Sequence, residues 1–168
     1  MKFDVKDERL EAVDDGIQSD FPAEVLAAAA IAVAGEELTA KFAETTEDAK
    51  RWRGHWYGLT PTRLILIHGS PKTATQYNDG DPAEVDGEII DLATIASATI
   101  KSFAPRPVGG SSRAIELRVA GVTLTIEDRT VQVPLGQVTG SSLKRWEPFC
   151  GALLEAVGRG GEGTVSFI

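Results

Sequence analysis

The chain is poor in the residues that build cross-links and metal sites, and it has no long apolar run. Its 168 residues include one cysteine and two histidines. Because Cys150 has no second cysteine to pair with, an intrachain disulfide is excluded and a reducing compartment is favoured. His55 and His68 lack the HxxxH or HExxH spacing of zinc sites, so no metal site is expected. The longest apolar run, residues 25–34, is about half as long as a bilayer-spanning helix requires.

The first residues do not resemble a secretory signal. Met1 and Lys2 are followed by Asp4, Asp7 and Glu8 rather than by an apolar stretch. Together with the single cysteine, this pattern predicts a cytoplasmic protein without a transmembrane segment.

The net charge of −8 is unevenly distributed along the chain. Residues 1–48 carry 13 acidic and 4 basic side chains, whereas residues 49–168 carry 12 acidic and 13 basic. The body of the protein is therefore nearly neutral and presents no basic stripe to phosphate groups. This distribution argues against nucleic-acid binding.

The sequence also lacks the common catalytic motifs. The segment LILIHGSP at 64–71 resembles a hydrolase loop, but the chain has no G-x-S-x-G nucleophile elbow. The glycine-rich segments 109–110 and 158–163 do not lie between a predicted strand and a predicted helix, as a phosphate-binding loop does. Since no nucleophile–base pair or carboxylate pair is evident, we expect a non-catalytic protein that uses no cofactor.

The strongest local pattern is the segment GHWYGLTPTRLILIH at 54–68. Aromatic and branched residues form two runs, and Thr60, Pro61 and Thr62 separate them as a turn. This arrangement predicts a tight β-hairpin at the centre of a small β-domain.

Helical patterns occur on both sides of this hairpin. The alanine-rich segment 23–34 follows a capping residue, Asp20, and stops at Gly35. The C-terminal pattern predicts an amphipathic helix that either starts near Glu147, with Pro148 in its first turn, or starts earlier and is kinked at Pro148. Its apolar residues recur in steps of three and four: Leu143, Trp146, Cys150, Leu153 and Val157.

Further strands are predicted between the two helices. They cover 38–45, 88–92 and 97–103, and three short strands fall within 114–135. Residues 69–87, which contain two prolines and several polar residues, are predicted to form a long functional or disordered loop.

The order of these elements resembles the bacterial pleckstrin-homology-like (PH-like or GRAM-like) domains. The resemblance covers about residues 35–157. It includes the first-strand entry GEEL at 35–38, the hairpin LTPTRL at 59–64 and the segments EIIDL and IASA at 88–92 and 95–98. It implies a bent antiparallel barrel or sandwich of about seven strands, closed by the C-terminal helix and preceded by the N-terminal one.

Three parts of the chain follow from this interpretation. Residues 1–35 form an acidic N-terminal extension with the alanine-rich helix, and residues 36–158 form the PH-like domain. Residues 159–168 form a glycine-rich linker and an apolar tail.

The first candidate binding residues are Lys50, Arg51, Trp52 and Arg53, which place three cations around an indole between the first two predicted strands. The resemblance implies that this turn supplies basic residues to a lipid headgroup, and an exposed tryptophan would suit a membrane surface. The acidic residues at 47–48 instead favour local ion pairs on a solvated turn, or a contact with a protein.

The second candidate segment is the tail TVSFI at 164–168, where Phe167 and Ile168 follow a glycine-rich hinge. Its alternating apolar residues suit a strand added to a sheet edge of this chain or of a neighbouring molecule. We therefore predict a non-catalytic module that binds another protein or a second copy of itself. The alternative is a peripheral module that binds anionic lipid headgroups through residues 50–53.

Overall fold

The computed structural model describes residues 8–14, 21–48, 51–70, 84–102, 106–107, 115–116, 119–136, 138, 141–159 and 164–167. These residues form a mainly β protein with three α-helices, α1 (Glu8–Val13), α2 (Ala23–Val33) and α3 (Ser141–Arg159). A single turn of 3-10 helix spans Leu92–Thr94. The strands are β1 (Ala40–Asp48), β2 (Arg51–Leu59), β3 (Arg63–Ser70), β4 (Glu84–Asp91), β5 (Ile95–Ser102), β6 (Arg106–Pro107), β7 (Ile115–Glu116), β8 (Val119–Ile126), β9 (Arg129–Val133) and β10 (Thr164–Phe167).

The chain divides into two compact units, Met1–Asp91 and Leu92–Ile168. The first contains α1, α2 and an antiparallel sheet in the order β1-β2-β3-β4. The second contains α3, a sheet in the order β10-β5-β8-β9 and the short ribbon β6-β7. The expected mainly β fold with helices is confirmed. No helix in the described part of the chain is long and apolar enough to cross a membrane.

The predicted central hairpin is present as β2 and β3. Leu59 pairs with Leu64, and the intervening turn is closed by a hydrogen bond from the Thr60 backbone N–H to the Arg63 carbonyl oxygen at 2.9 Å. The Thr60 hydroxyl also accepts from the Arg63 backbone N–H at 3.0 Å. The Arg63 guanidinium forms an ion pair with Glu36, which ties the segment before β1 to this turn.

Helix α2 packs closely on one face of the first sheet. A Cβ atom at Gly54 would lie 2.8 Å from Cδ of Pro22, and one at Gly69 would overlap Cγ2 of Val25. Glycine at these two positions and alanine along the helix therefore permit the short separation. The resulting core consists of buried residues from α1, from α2 and the residues just before it, and from the three strands β1–β3: Val13, Phe21, Val25, Ala29, Ala30, Val33, Ala43, Trp56, Ile65 and Ile67.

The ends of α2 differ in part from the expectation. Pro22 immediately precedes the helix, and no side chain caps its first turn. Asp20, the expected cap, lies outside the described residues. The helix stops as expected, because Ala34 and Gly35 both adopt positive φ angles, of 53° and 80°.

Helix α1 belongs to the same core, although the polar and acidic sequence of residues 1–18 by itself predicts a loosely held extension, with or without a short helix. Val13 is 1% exposed. The Trp56 indole N–H donates to the Val13 carbonyl oxygen at 2.8 Å, and the Lys41 ammonium donates to the Ala12 carbonyl oxygen at 2.7 Å. Two carbonyls that the end of α1 leaves unsatisfied thus find partners on the sheet, which fixes the helix in place.

In the second unit, α3 packs against β5, β8 and β10. The helix begins at Ser141 and includes Pro148, so of the two predicted alternatives the start near Glu147 is wrong and the earlier start is correct. Trp146 is fully buried, and its indole N–H donates to the Val119 carbonyl oxygen at 3.0 Å. Cys150 lies on the same apolar face, and burial raises the pKa of its thiol to about 12, so it is an inert packing residue.

Candidate functional site

The predicted basic segment lies mostly in a strand rather than in a turn. Arg51 and Trp52 are the first residues of β2, and Arg53 is exposed one position further along. The register places Asp48 opposite Arg51 and residue 47, a glutamate, opposite Trp52. Lys50 lies outside the described residues. The strand pairing therefore brings acidic and basic positions together at this end of the sheet.

The predicted tail strand is present on an edge of its own sheet. Residues 164–167 form β10, which pairs in parallel with β5 and places Phe167 opposite Ile100. Ile168 lies outside the described residues. The tail thus extends the second sheet of the same chain, whereas a role for Phe167 or Ile168 in binding stays a prediction.

A row of polar residues crosses the first sheet on the face opposite α2. Glu44, His55, His68 and Asp86 occupy successive paired positions on β1, β2, β3 and β4, and we call these four residues the histidine row. Directly paired residues of antiparallel strands project to the same face of a sheet. All four side chains therefore belong to one face, and sequence analysis did not identify this set.

The two histidines of the row form a direct hydrogen bond. Their Nδ1 atoms are 3.0 Å apart, and the ring centroids are 5.0 Å apart. Nε2 of His55 lies 2.9 Å from Oγ1 of Thr46, so both ring nitrogens of His55 have partners. His55 is 5% exposed, whereas His68 is half-buried. The ring of His55 is therefore buried and held by two hydrogen bonds, whereas the ring of its partner His68 is partly exposed to solvent.

Glu44, at one end of the row, is a buried acidic residue. It is 6% exposed and accepts a hydrogen bond from the Tyr57 hydroxyl at 2.8 Å. The Tyr57 ring also lies edge-on to the ring of His68, with centroids 6.2 Å apart. The polar groups on this face therefore form a packed and hydrogen-bonded group rather than a set of solvated side chains.

Burial keeps both imidazoles neutral near pH 7. It lowers the pKa of His55 to about 4; His68 and Arg53 act in the same direction, and Asp86 opposes them. Burial also lowers the pKa of His68, against the opposing effect of the carboxylates of Asp86 and Glu88. The charge on this face is then set by its carboxylates and by Arg53.

The short separation between the two Nδ1 atoms also limits proton uptake. A bond between two imidazoles requires one ring to donate and the other to accept. If both Nδ1 atoms carried a proton, two N–H groups would face each other, so the pair should titrate as a coupled unit. In the described part of the chain no group of three or more His, Cys, Asp or Glu residues could hold a metal ion. Two imidazoles alone fall short of the three or four protein ligands of a zinc site.

Strand β4 carries two different faces along its length. Glu84, Asp86 and Glu88 alternate on the histidine-row face, where Glu84 and Asp86 are exposed and Glu88 is half-buried. Val85 and Ile89 project to the opposite face, which also carries α2, and Ile89 is 48% exposed. The strand is longer than predicted, because Glu84 to Gly87 belong to it rather than to a long loop.

β4 is also the last strand of its sheet. It pairs with β3 along all eight of its residues, and among the described residues no strand pairs with its other side. Such an edge presents a row of backbone N–H and C=O groups to its surroundings. The edge, its alternating acidic residues and Ile89 together form the candidate binding surface, which we call the β4 edge.

The histidine pair was within reach of the sequence, because the predicted hairpin already implies it. With Leu59 and Leu64 as the residues that flank the turn, antiparallel counting outward pairs His55 with His68. The β4 edge carried no comparable signal, because EVDGE at 84–88 combines residues that are depleted in strands with a glycine.

Comparisons of the chain with protein-family models, with curated proteins and with solved structures found no match.

Proposed function

We propose that this chain is a non-catalytic PH-like module that binds a protein by taking up one of its segments as an additional strand at the β4 edge. The observation that carries the proposal is the open side of β4, which has eight residues and no strand partner in the described part of the chain. Backbone hydrogen bonds to such an edge provide affinity, and alternating side chains provide specificity.

The order of the elements supports the PH-like part of this proposal. Four antiparallel strands that follow one another along the chain form the first sheet, and a second sheet and an amphipathic helix come after it. This is the order expected from the resemblance at 35–157. Within the second unit, the buried residues Trp146, Leu153 and Val157 lie on the predicted apolar face of α3, and α3 packs on the sheet.

Binding of anionic lipid through residues 50–53 has less support. The register sets Asp48 opposite Arg51, and the acidic position 47 lies opposite Trp52. Acidic residues at these two positions offset the positive charge of Arg51 and Arg53, which anionic headgroups require.

Photo-crosslinking tests the proposed function. A photoreactive amino acid is introduced at position 89 on the β4 edge, and the matched control carries it at position 31 on α2. The two positions are a matched pair because the side chains of Ile31 and Ile89 are exposed to a similar extent, 53% and 48%. We expect protein adducts from position 89 in cells that express the chain natively, and few from position 31.

Two outcomes separate the forms of this proposal. An adduct of the purified chain with itself at position 89 would identify self-association as the function of the edge. Equal labelling from positions 31 and 89, or no adduct from either, would contradict strand addition at β4.

A further inference from the structure

We propose that the β4 edge binds an extended segment of another protein in which basic residues alternate with apolar residues. The inference rests on the proposed function and specifies the chemistry of the partner. It follows from the two faces of β4, from the charge of the histidine-row face and from the strands that the chain itself has available.

The acidic residues of β4 define one side of the partner. Glu84, Asp86 and Glu88 are spaced two residues apart, so they point to the same face. Side chains directly opposite in an added strand would lie about 4.5–5.5 Å from them between Cβ atoms. Lysine or arginine at alternate positions of the added strand would meet these carboxylates, whereas acidic residues there would be repelled.

The neighbouring groups on this face strengthen the preference for cations. The pKa values of His55 and His68 are lowered, so neither ring contributes positive charge near neutral pH. The basic residue Arg53 also lies on this face, but it is on β2, two strands away from the β4 edge. The described cation of β3, Arg63, pairs with Asp91 at the far end of β4 and projects to the opposite face. The exposed carboxylates of Glu84 and Asp86 are therefore the charges that an added strand would meet on this face.

The opposite face of β4 defines the apolar side of the partner. Ile89 is about half exposed, and Val85 is packed on the core of the first unit. Between them, Gly87 has no side chain, and a Cβ atom there would lie 2.5 Å from Cδ1 of Ile67. The side chain of Ile67 thus fills the space above Gly87, and Ile89 is the exposed apolar side chain that apolar residues of the added strand would cover.

A second copy of this chain is a poor source for such a segment. Its sequence has one place where two basic residues are two positions apart, Arg51 and Arg53. Both lie in β2, which already pairs with β1 on one side and with β3 on the other. A different protein must therefore supply the alternating segment.

Titration with synthetic peptides tests this inference. The probe is acetyl-Lys-Val-Lys-Val-Lys-Val-amide, and the composition-matched control is acetyl-Lys-Lys-Lys-Val-Val-Val-amide. We expect the alternating peptide to shift the backbone amide NMR signals of residues 84–91 in the full chain, and the blocked peptide to bind more weakly. Added salt should weaken the binding, because the carboxylates are exposed.

Charge-neutralising variants assign the site. Glu84→Gln combined with Asp86→Asn should weaken binding of the alternating peptide by about two- to thirtyfold, since each cross-strand ion pair contributes modestly. The control pair is Glu127→Gln with Asp128→Asn, two exposed acidic residues in the turn between β8 and β9, and it should bind as the wild type does.

Three outcomes would overturn the inference: equal binding of both peptides, signal shifts away from β4, or equal losses in both variant pairs. If position 89 still crosslinks to a protein in such a case, strand addition stands and the proposed partner chemistry is wrong. If position 89 also fails to crosslink, both proposals are wrong.

Discussion

Acidification should destabilise this protein through the coupled pair of His55 and His68, and the variant His55→Gln removes the contribution of His55. In the folded state burial lowers the pKa of His55 to about 4, below the ordinary value of 6.5. The unfolded chain therefore binds a proton at a pH where the folded chain does not. Stability consequently falls as the pH drops from about 6.5 to about 4, and the contribution is absent above that window.

The size of this effect follows from the shift in pKa. A drop from 6.5 to about 4 corresponds to at most about 3–4 kcal/mol, since one pKa unit is about 1.4 kcal/mol. The half-buried His68 admits solvent beside the pair and screens part of this energy. We therefore expect the wild type to lose about 1–2 kcal/mol through His55 over the window.

Urea denaturation of the wild type and of His55→Gln, at about pH 7 and at about pH 4.5, measures the difference. The variant should be less stable at neutral pH, because Thr46 and His68 lose a hydrogen-bond partner. The gap should narrow by about 1–2 kcal/mol in acid, since carboxylates that titrate in both proteins cancel. A gap that stays constant or widens would refute the assigned protonation of the pair.

Three further predictions concern packing and lipid binding. Trp146→Ala should lower the free energy of unfolding by about 3–5 kcal/mol, because the indole is fully buried and donates a hydrogen bond; a fully stable variant would contradict the packing of α3. Gly69→Ala should cost about 1–3 kcal/mol in the same assay because its Cβ overlaps α2, whereas Gly158→Ala, which has open space there, should cost nothing. The double variant Arg51→Glu with Arg53→Glu should fold normally, as surface charges contribute little, and neither it nor the wild type should co-sediment with phosphatidylserine vesicles; sedimentation of the wild type alone would restore the lipid alternative.

Local sequence patterns were sufficient to predict the elements in which neighbouring residues all favour the same secondary structure. The hairpin of β2 and β3 was predictable because branched and aromatic residues flank a proline-containing turn. Helix α2 was predictable from its alanine run and from the stop at Gly35. The helical spacing of Trp146 and Leu153 likewise predicted a buried face on α3.

Long-range contacts decided the features that the sequence did not show. The fixed position of α1 depends on the indole of Trp56, which lies 43 residues after its acceptor Val13. The first half of β4 forms because β3 offers a full set of backbone partners, which overrides the weak strand propensity of Asp86 and Gly87. The sequence left the start of α3 open between two alternatives, because Pro148 is compatible with the first turn of a helix and also with a kink inside a longer one.

Amide hydrogen exchange of β4 in the presence of the alternating lysine–valine peptide tests the central claim most directly. A strand added to an open edge forms hydrogen bonds with alternate residues, because the remaining N–H groups already point towards β3. We predict that exchange slows at every second amide of residues 84–91 and is unchanged along β1, the other end of the sheet. Uniform slowing across both strands, or no change along β4, would contradict a docking edge at this position.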